Sequence, residues 1–203
     1  MFLQKAKNAK AMADALGYST NKADKDEQPS SQPVEISHAS SESAEELVRL
    51  VNWAYRGKDG REGWTGEMRF IDGIRIDMPA MLQALEDPKA TVFVASCQER
   101  PVGCIKVEKV AEDMAEVGMF AVDPDMQSKR IGSSLLQTAE EFAREALGAR
   151  KATMFVLENR GDILSWYLRR GYKRTEETAP FPEDQNVGKP KIKLQFVRLE
   201  KDL

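Results

Sequence analysis

Residues Glu116–Leu147 read E-V-G-M-F-A-V-D-P-D-M-Q-S-K-R-I-G-S-S-L-L-Q-T-A-E-E-F-A-R-E-A-L. The spacing predicts a strand over 116–122, a tight turn at Asp123-Pro124, a polar loop, and a long helix from Ile131. Ile131, Leu135, Leu136, Ala139, Phe142, Ala143, Ala146 and Leu147 recur at helical spacing, and Gly148 is placed to end the helix. A polar loop that enters a helix offers several unpaired backbone N–H groups and the positive end of the helix dipole, and both favour a bound phosphate. The stretch therefore predicts an anion site where a strand becomes a helix.

Downstream, Ala152–Val156 reads as a strand, so the strand, helix, strand unit should pair in parallel. A short helix over 162–170 carries Ile163, Trp166 and Tyr167 on one side and closes at Gly171, and two strands, from Tyr172 and over Lys191–Leu199, follow. A Pro-rich connection, Pro180–Pro190, joins them. Upstream, Thr91–Ala95 and Val102–Val107 flank the turn Gln98–Pro101 as a hairpin, which makes the middle of the chain an antiparallel meander. A strand at Val34–Ile36 precedes a helix capped by Ser40–Ser43 and running through Leu47, Leu50, Val51 and Ala54. Between that helix and a short one beginning at Pro79 lies the Gly-rich, charged loop Arg56–Asp77, long enough to predict a functional role.

With 203 residues the chain suits one domain with a tail. Val34–Leu203 is the expected domain. In the extension 1–33, alanines at helical spacing predict a short amphipathic helix before a polar, flexible linker. The interspersed charges sum to −3, so no basic stripe points to nucleic acid. No apolar run is long enough for a membrane helix, and the expectation is a soluble cytoplasmic protein with no membrane partner. Cys97 and Cys104 fall on neighbouring strands and read as small buried thiols, although their spacing does not exclude a pair or a nucleophile. With one histidine, His38, read as a surface residue, no metal site is expected.

Two motifs then coincide. Phe120-Ala121-Val122-Asp123-Pro124 leads into Gln127-Ser128-Lys129-Arg130-Ile131-Gly132, and the later helix ends Tyr167-Leu168-Arg169-Arg170-Gly171-Tyr172. Over Val34–Leu203 the order of elements and these motifs resemble the GCN5-related N-acetyltransferase (GNAT) family, whose cofactor loop is (Q/R)-x-x-G-x-(G/A). The resemblance implies an α/β fold of the α+β type: a mixed, mostly antiparallel sheet of about six to seven strands flanked by about four helices. The loop departs from the pattern at Arg130, where the family most often has glycine.

The resemblance also implies an activity, transfer of acetyl from acetyl-CoA to an amine of a small molecule or peptide, without metal. It implies that the strand over 116–122 splays from its neighbour and that the pantetheine arm lies in the gap. Backbone groups of Phe120 and Val122 would hold the arm, with an N–H of the Phe120, Ala121, Val122 segment facing the oxyanion. Gln127, Ser128, Lys129, Arg130, Ile131, Gly132 and Ser133 would form the phosphate loop. Glu116 matches the family's general base, the other reading being an exposed strand charge; Glu67, Asp72 and Asp77 compete for the role. Tyr167 matches the family's acid for the departing thiolate, the other reading being an aromatic packed beside Ile163. Asn159 stands near a cofactor-touching asparagine but is offset by one residue. Trp53, Tyr55 and Trp64 are candidates for an acceptor pocket, and Arg169-Arg170 for a contact with the 3′-phosphate of CoA or for a solvated face. A homodimer fits the family's tendency. A function of another class is a GNAT scaffold without turnover that serves as an acyl-CoA sensor or interaction module; Arg130 favours it, Glu116 and Tyr167 oppose it.

Overall fold

The computed structural model describes residues 33–61, 63, 66–182 and 187–203. The expected helix and linker before Pro33, and Trp64, lie outside these residues. The described elements are β1 (Val34–His38), α1 (Ala44–Arg56), β2 (Ile71–Asp72), α2 (Met78–Glu86), β3 (Ala90–Cys97), β4 (Arg100–Ala111) and β5 (Met114–Val122), then α3 (Ile131–Glu145), β6 (Lys151–Leu157), α4 (Gly161–Leu168), β7 (Lys173–Pro180), β8 (Lys189–Pro190) and β9 (Gln195–Asp202). Seven strands form one sheet in the order β1-β3-β4-β5-β6-β9-β7, and β2 pairs with β8 separately. Only β5 and β6 run parallel; the other pairings of the main sheet are antiparallel. The mixed, mostly antiparallel sheet with four α-helices among the described residues is the architecture that the family resemblance implies.

Helices cover both faces of the sheet. Ile131, Leu135, Leu136, Ala139 and Ala143 of α3 pack with Val107, Val117, Phe120 and Val122. On the opposite face Leu47, Leu50, Val51 and Ala54 of α1 and Met81 of α2 pack with Val94, Cys104, Met119 and Ala121. Side chains i, i+3 and i+4 share a helix face, so the apolar spacing of α1 and α3 directs one stripe of each inward. A third, small cluster of Ile71, Leu157, Phe181 and Leu194 lies under the loop that follows α1.

The register of β5 is interrupted once where it matters. Cys104 of β4 faces Ala121 while Lys106 faces Gly118, so Met119 and Phe120 together oppose Ile105. Such a bulge inserts a residue, bends the strand and reverses the alternation of faces beyond it. Ala115 and Val117 lie under α3, and beyond the bulge Phe120 and Val122 return to that side while Met119 and Ala121 join the α1 core. Met119 sits at φ +43°, in the left-handed region, which costs a non-glycine residue about 1–2 kcal/mol. The carbonyl of Phe120 in this bulge accepts a hydrogen bond from the hydroxyl of Tyr55 on α1 at 3.0 Å. Pairing of β5 with β6 covers only Met114–Lys151, Ala115–Ala152 and Glu116–Thr153. From Val117 onward the two strands part.

Three expectations require correction. No serine side chain caps α1; a 3-10 turn, Ser41–Ser43, precedes it, and Ser43 Oγ donates to the Ser40 carbonyl at 2.8 Å. The β3–β4 turn is tighter than Gln98–Pro101, since Gln98 and Glu99, at φ +51° and +64°, complete the reversal as a two-residue hairpin loop. The last strand begins at Gln195 rather than Lys191, because Lys189–Pro190 is diverted to pair with Ile71–Asp72. The Cys97 and Cys104 thiols are free.

Leu135 is fully buried at the centre of the α3 packing. Leu135→Ala is therefore expected to lower stability by about 2–5 kcal/mol, seen as a fall in the urea midpoint with an unchanged slope.

Candidate active site

The parting of β5 and β6 opens a cavity of about 250 Å³. Glu116, Gly118 and Phe120 of β5 form one wall, Met154–Leu157 of β6 another, and Tyr167 of α4 closes a third side. Tyr55, Arg56, Glu67 and Arg75 enter from α1 and the loop behind it, and Phe181, Pro182, Val187 and Phe196 from the C-terminal strands and their connection. The loop is held in place by the β2–β8 pair, by the Phe70 carbonyl accepting from Lys191 N at 2.7 Å, and by the Val187 carbonyl accepting from Arg56 Nη2 at 2.7 Å.

Glu116 is half-buried and lines this cavity. Burial raises its carboxyl above the ordinary glutamate value, with neighbouring Glu108 adding to the rise and Lys106 and Arg198 opposing it. Tyr167 is buried; its ring meets Trp166 edge-on at 5.0 Å between centroids, with Tyr172 at 5.7 Å and Phe120 at 6.4 Å. Burial pushes its hydroxyl well above the ordinary phenol range, so at neutral pH it holds its proton. Tyr55 is pushed up to about 12 for the same reason. The other acidic candidates separate. Glu67 lines the cavity in a buried ion pair with Arg56 at 2.7 Å, whereas Asp72 pairs with Lys191 at 2.8 Å and Asp77 caps α2 by accepting from Ala80 N at 2.9 Å.

Beside the cavity, and sharing none of its lining residues, lies a second hollow of about 270 Å³ made of Val122, Met126, Gln127, Ser128, Arg130, Ile131, Gly132, Ser133, Trp166 and Arg170. Every backbone N–H from Gln127 through Ser133 lacks a backbone acceptor among the described residues; the first bond of α3 is Ser134 N to the Arg130 carbonyl. With the helix dipole, these N–H groups offer hydrogen-bond donors and partial positive charge at the junction where an anion site is expected. Its entry is fixed by Asp123, 1% exposed, which accepts from Asp125 N at 2.9 Å and pairs with Arg100 at 2.9 Å. Arg170 closes the rim: its guanidinium lies 3.4 Å over the Trp166 ring and donates to Ser133 Oγ at 2.8 Å, while Arg169 remains exposed. A pyrophosphate fits this donor set in charge and in hydrogen-bonding sense.

Arg130 occupies φ +62°, ψ 7°, the left-handed conformation that glycine adopts freely, and its side chain is exposed. The backbone path is thus the one a glycine would take. Ala121 is fully buried on the α1 side, Lys129 is exposed with Nζ 3.4 Å from Met126 Sδ, and neither lines either hollow. Asn159 is also exposed and outside both, while the adjacent Arg160 turns inward. Trp53 lines a different hollow with Lys58 and Arg100. The three arginines of the cavity, Arg56, Arg75 and Arg160, were not singled out from the sequence as acceptor-site residues. The E-N-R-G-D turn reads as polar and exposed, and only the fork of Arg160 onto Asp162, two residues on, hints that it is held. The Cys104 thiol is buried, donates to the Met119 carbonyl at 3.6 Å and is pushed up to about 12 by burial, which leaves it unsuited to nucleophilic attack.

The model of the acetyltransferase (GNAT) family matches residues 47–172, more than half of the chain. The chain belongs to the GNAT family. The aminoalkylphosphonate N-acetyltransferase of Salmonella typhimurium is 28% identical over 146 residues, covering 70% of this chain and 86% of that one. An uncharacterised N-acetyltransferase of Methanocaldococcus jannaschii is 32% identical over 93 residues, covering 41% of this chain and 39% of that one. Among solved structures, the PaiA N-acetyltransferase of Thermoplasma acidophilum in complex with coenzyme A superposes with a TM-score of 0.64 at 18% identity, over 84% of this chain and 99% of that one. The ribosomal-protein-alanine N-acetyltransferase of Brucella melitensis gives 0.62 at 18%, over 83% and 99%. These two superpositions establish the GNAT fold, and family and relatives together make the protein an acetyltransferase.

Left-handed strain at Arg130 of about 1–2 kcal/mol exceeds the roughly 0.4–1 kcal/mol that a glycine adds to the unfolded chain's entropy. Arg130→Gly is therefore expected to raise unfolding stability by about 0.5–1 kcal/mol, measured by urea denaturation, and Arg130→Val, with its branched Cβ, to lower it.

Proposed function

We propose that the protein transfers the acetyl group of acetyl-CoA directly to a primary amine of a small molecule or peptide. The observation that carries this reading is the meeting of Glu116 and Tyr167 on one cavity, opened by the splay of β5 from β6 and flanked by the N–H cradle. The acceptor of the Salmonella relative, an aminoalkylphosphonate, is an amine as well. Bound acetyl-CoA supplies an activated thioester: the amine nitrogen forms the new C–N bond, the C–S bond breaks with its electron pair passing to sulfur, and one amine proton must leave while the thiolate gains one.

The chain's own residues meet these needs as follows. The N–H groups from Gln127 to Ser133, with Arg170, hold the pyrophosphate, and the unpaired edge of β5 beyond Glu116 offers backbone groups along which the pantetheine arm lies as an added strand. A backbone N–H of the Phe120–Val122 segment faces the developing oxyanion. Glu116 accepts the amine proton, directly or through water; its raised pKa brings the carboxylate closer to the working pH, which favours general-base action. Tyr167 keeps its proton because it is buried and gives it to the departing sulfur. The arrangement has the parts for one direct displacement, and the buried Cys104 plays no part.

Release of free thiol from acetyl-CoA over a panel of amines tests the reading; binding of acetyl-CoA without thiol release on any amine would favour a sensor. A general base must be deprotonated to work, so activity should rise as pH increases through the Glu116 pKa, above the usual carboxylate range. Glu116→Gln should lower kcat/KM by about 10²-fold or more near neutral pH and by less where the amine deprotonates unaided, towards about pH 10. An equal loss at every pH would assign Glu116 to positioning. Tyr167→Phe, which keeps the ring packing, should lower kcat at least about tenfold while leaving the thermal midpoint within a few degrees.

A further inference from the structure

The cavity that holds Glu116 also gathers arginines in excess of the carboxylates that neutralise them. Arg56 and Glu67 pair at 2.7 Å with side chains 8% and 12% exposed, yet Arg56 Nε finds no acceptor among the described residues. Arg160 is only 7% exposed; its Nε and Nη2 fork onto Asp162 at 3.0 and 2.8 Å, and its Nη1 is buried without an acceptor among the described residues. Arg75 lies with its guanidinium 5.2 Å from the Tyr55 ring centroid and makes no ion pair among the described residues. A buried guanidinium N–H without an acceptor is costly, and interiors rarely leave one unless something else supplies the oxygen.

The phosphates of CoA do not explain these donors. Their cradle is built from Gln127–Ser133, Trp166 and Arg170 and shares no lining residue with the cavity. The thioester and the pantetheine arm carry no anion. The cavity is instead bipolar, with Glu116 in one wall to attract an ammonium group and Arg160, Arg75 and Arg56 elsewhere in the lining to hold an oxyanion. Its volume of about 250 Å³, shared with the thioester end of the donor, lies below the usual range for ligand sites, which restricts the molecule that bridges the two charges to a small one.

We infer that the acceptor is a small amine bearing its own oxyanion, a carboxylate or a phosphonate, with Arg160, Arg75 and Arg56 binding the anion and Glu116 receiving the amine. This rests on the acetyltransferase reading above. The anion is a handle for affinity and orientation: it fixes the amine nitrogen relative to the thioester and takes no part in bond making.

The test compares kcat/KM for thiol release from acetyl-CoA with β-alanine, 2-aminoethylphosphonate, β-alanine amide and n-propylamine as acceptors. At least one of the two acids is expected to exceed both amines that lack an oxyanion by about 10²-fold or more, because a site built for a polar group strongly rejects analogues lacking it. Preference between the acids identifies the oxyanion as carboxylate or phosphonate. In Arg160→Met the ratio of acid to amine without an oxyanion should fall at least about tenfold, and in Arg75→Gln, where the residue is only half-buried and folding is less at risk, it should fall in the same direction. Amines without an oxyanion matching or exceeding both acids would overturn the inference while leaving acetyl transfer standing. So would an unchanged ratio in the variants that fold. No thiol release with any amine would overturn both readings.

Discussion

The site depends on two neighbouring strands of one sheet that fail to stay together. Adjacent parallel strands normally pair along their length, since each unpaired N–H and C=O in an interior carries a penalty. Here β5 and β6 pair only from Met114 to Glu116, and the bulge at Met119–Phe120 bends β5 away. The bend is held by several independent constraints. The bulge reverses the side-chain alternation so that Met119 fills the α1 core and Phe120 the α3 core, and Tyr55 satisfies the Phe120 carbonyl. Closing the gap would undo both packings.

On the proposed function, two kinds of anion recognition stand side by side on this frame. The cradle at the start of α3 uses backbone N–H groups, which carry no net charge, lose little conformational entropy on binding and suit a group that is the same in every turnover. The cavity presents guanidinium side chains held by Glu67 and Asp162, the groups proposed to meet the acceptor. Side-chain recognition can change with the loop that carries it, and Arg56 and Arg75 bracket the loop tied down by the β2–β8 pair. Such a division would separate a fixed donor site from an adjustable acceptor site.

What the sequence disclosed follows from the range of the forces involved. The strand, turn and helix over 116–147 were legible because alternation, Asp-Pro and helical spacing act within a few residues, and the free N–H groups at the start of the helix follow from the same local grammar. The role of Tyr55 was left open between core and pocket, and it touches both, packing with α1 while its hydroxyl reaches Phe120. Arg130 read as a departure because side-chain identity suggested altered chemistry; the backbone it adopts is that of the glycine it replaces. Asn159 was singled out by analogy of position, yet the turn exposes it and buries the adjacent Arg160 in a cavity lined by residues far away in sequence. The diversion of Lys189–Pro190 to β2 was hidden for a similar reason, since its partner lies over a hundred positions upstream.

The place of β9 in the sheet has a consequence for how the molecule is assembled. It lies between β6 and β7, pairing with β6 from Lys151–Asp202 to Leu157–Phe196 and with β7 on its other side. Until residues 195–202 have been synthesised, β6 touches the sheet only through its short contact with β5, and β7 has no place to dock. A nascent chain therefore presents open strand edges next to the future cleft for the time needed to make the intervening segment, a few seconds at typical rates of synthesis. Folding is paced by a late, non-local pairing, and the period before it is when this protein is most exposed to aggregation.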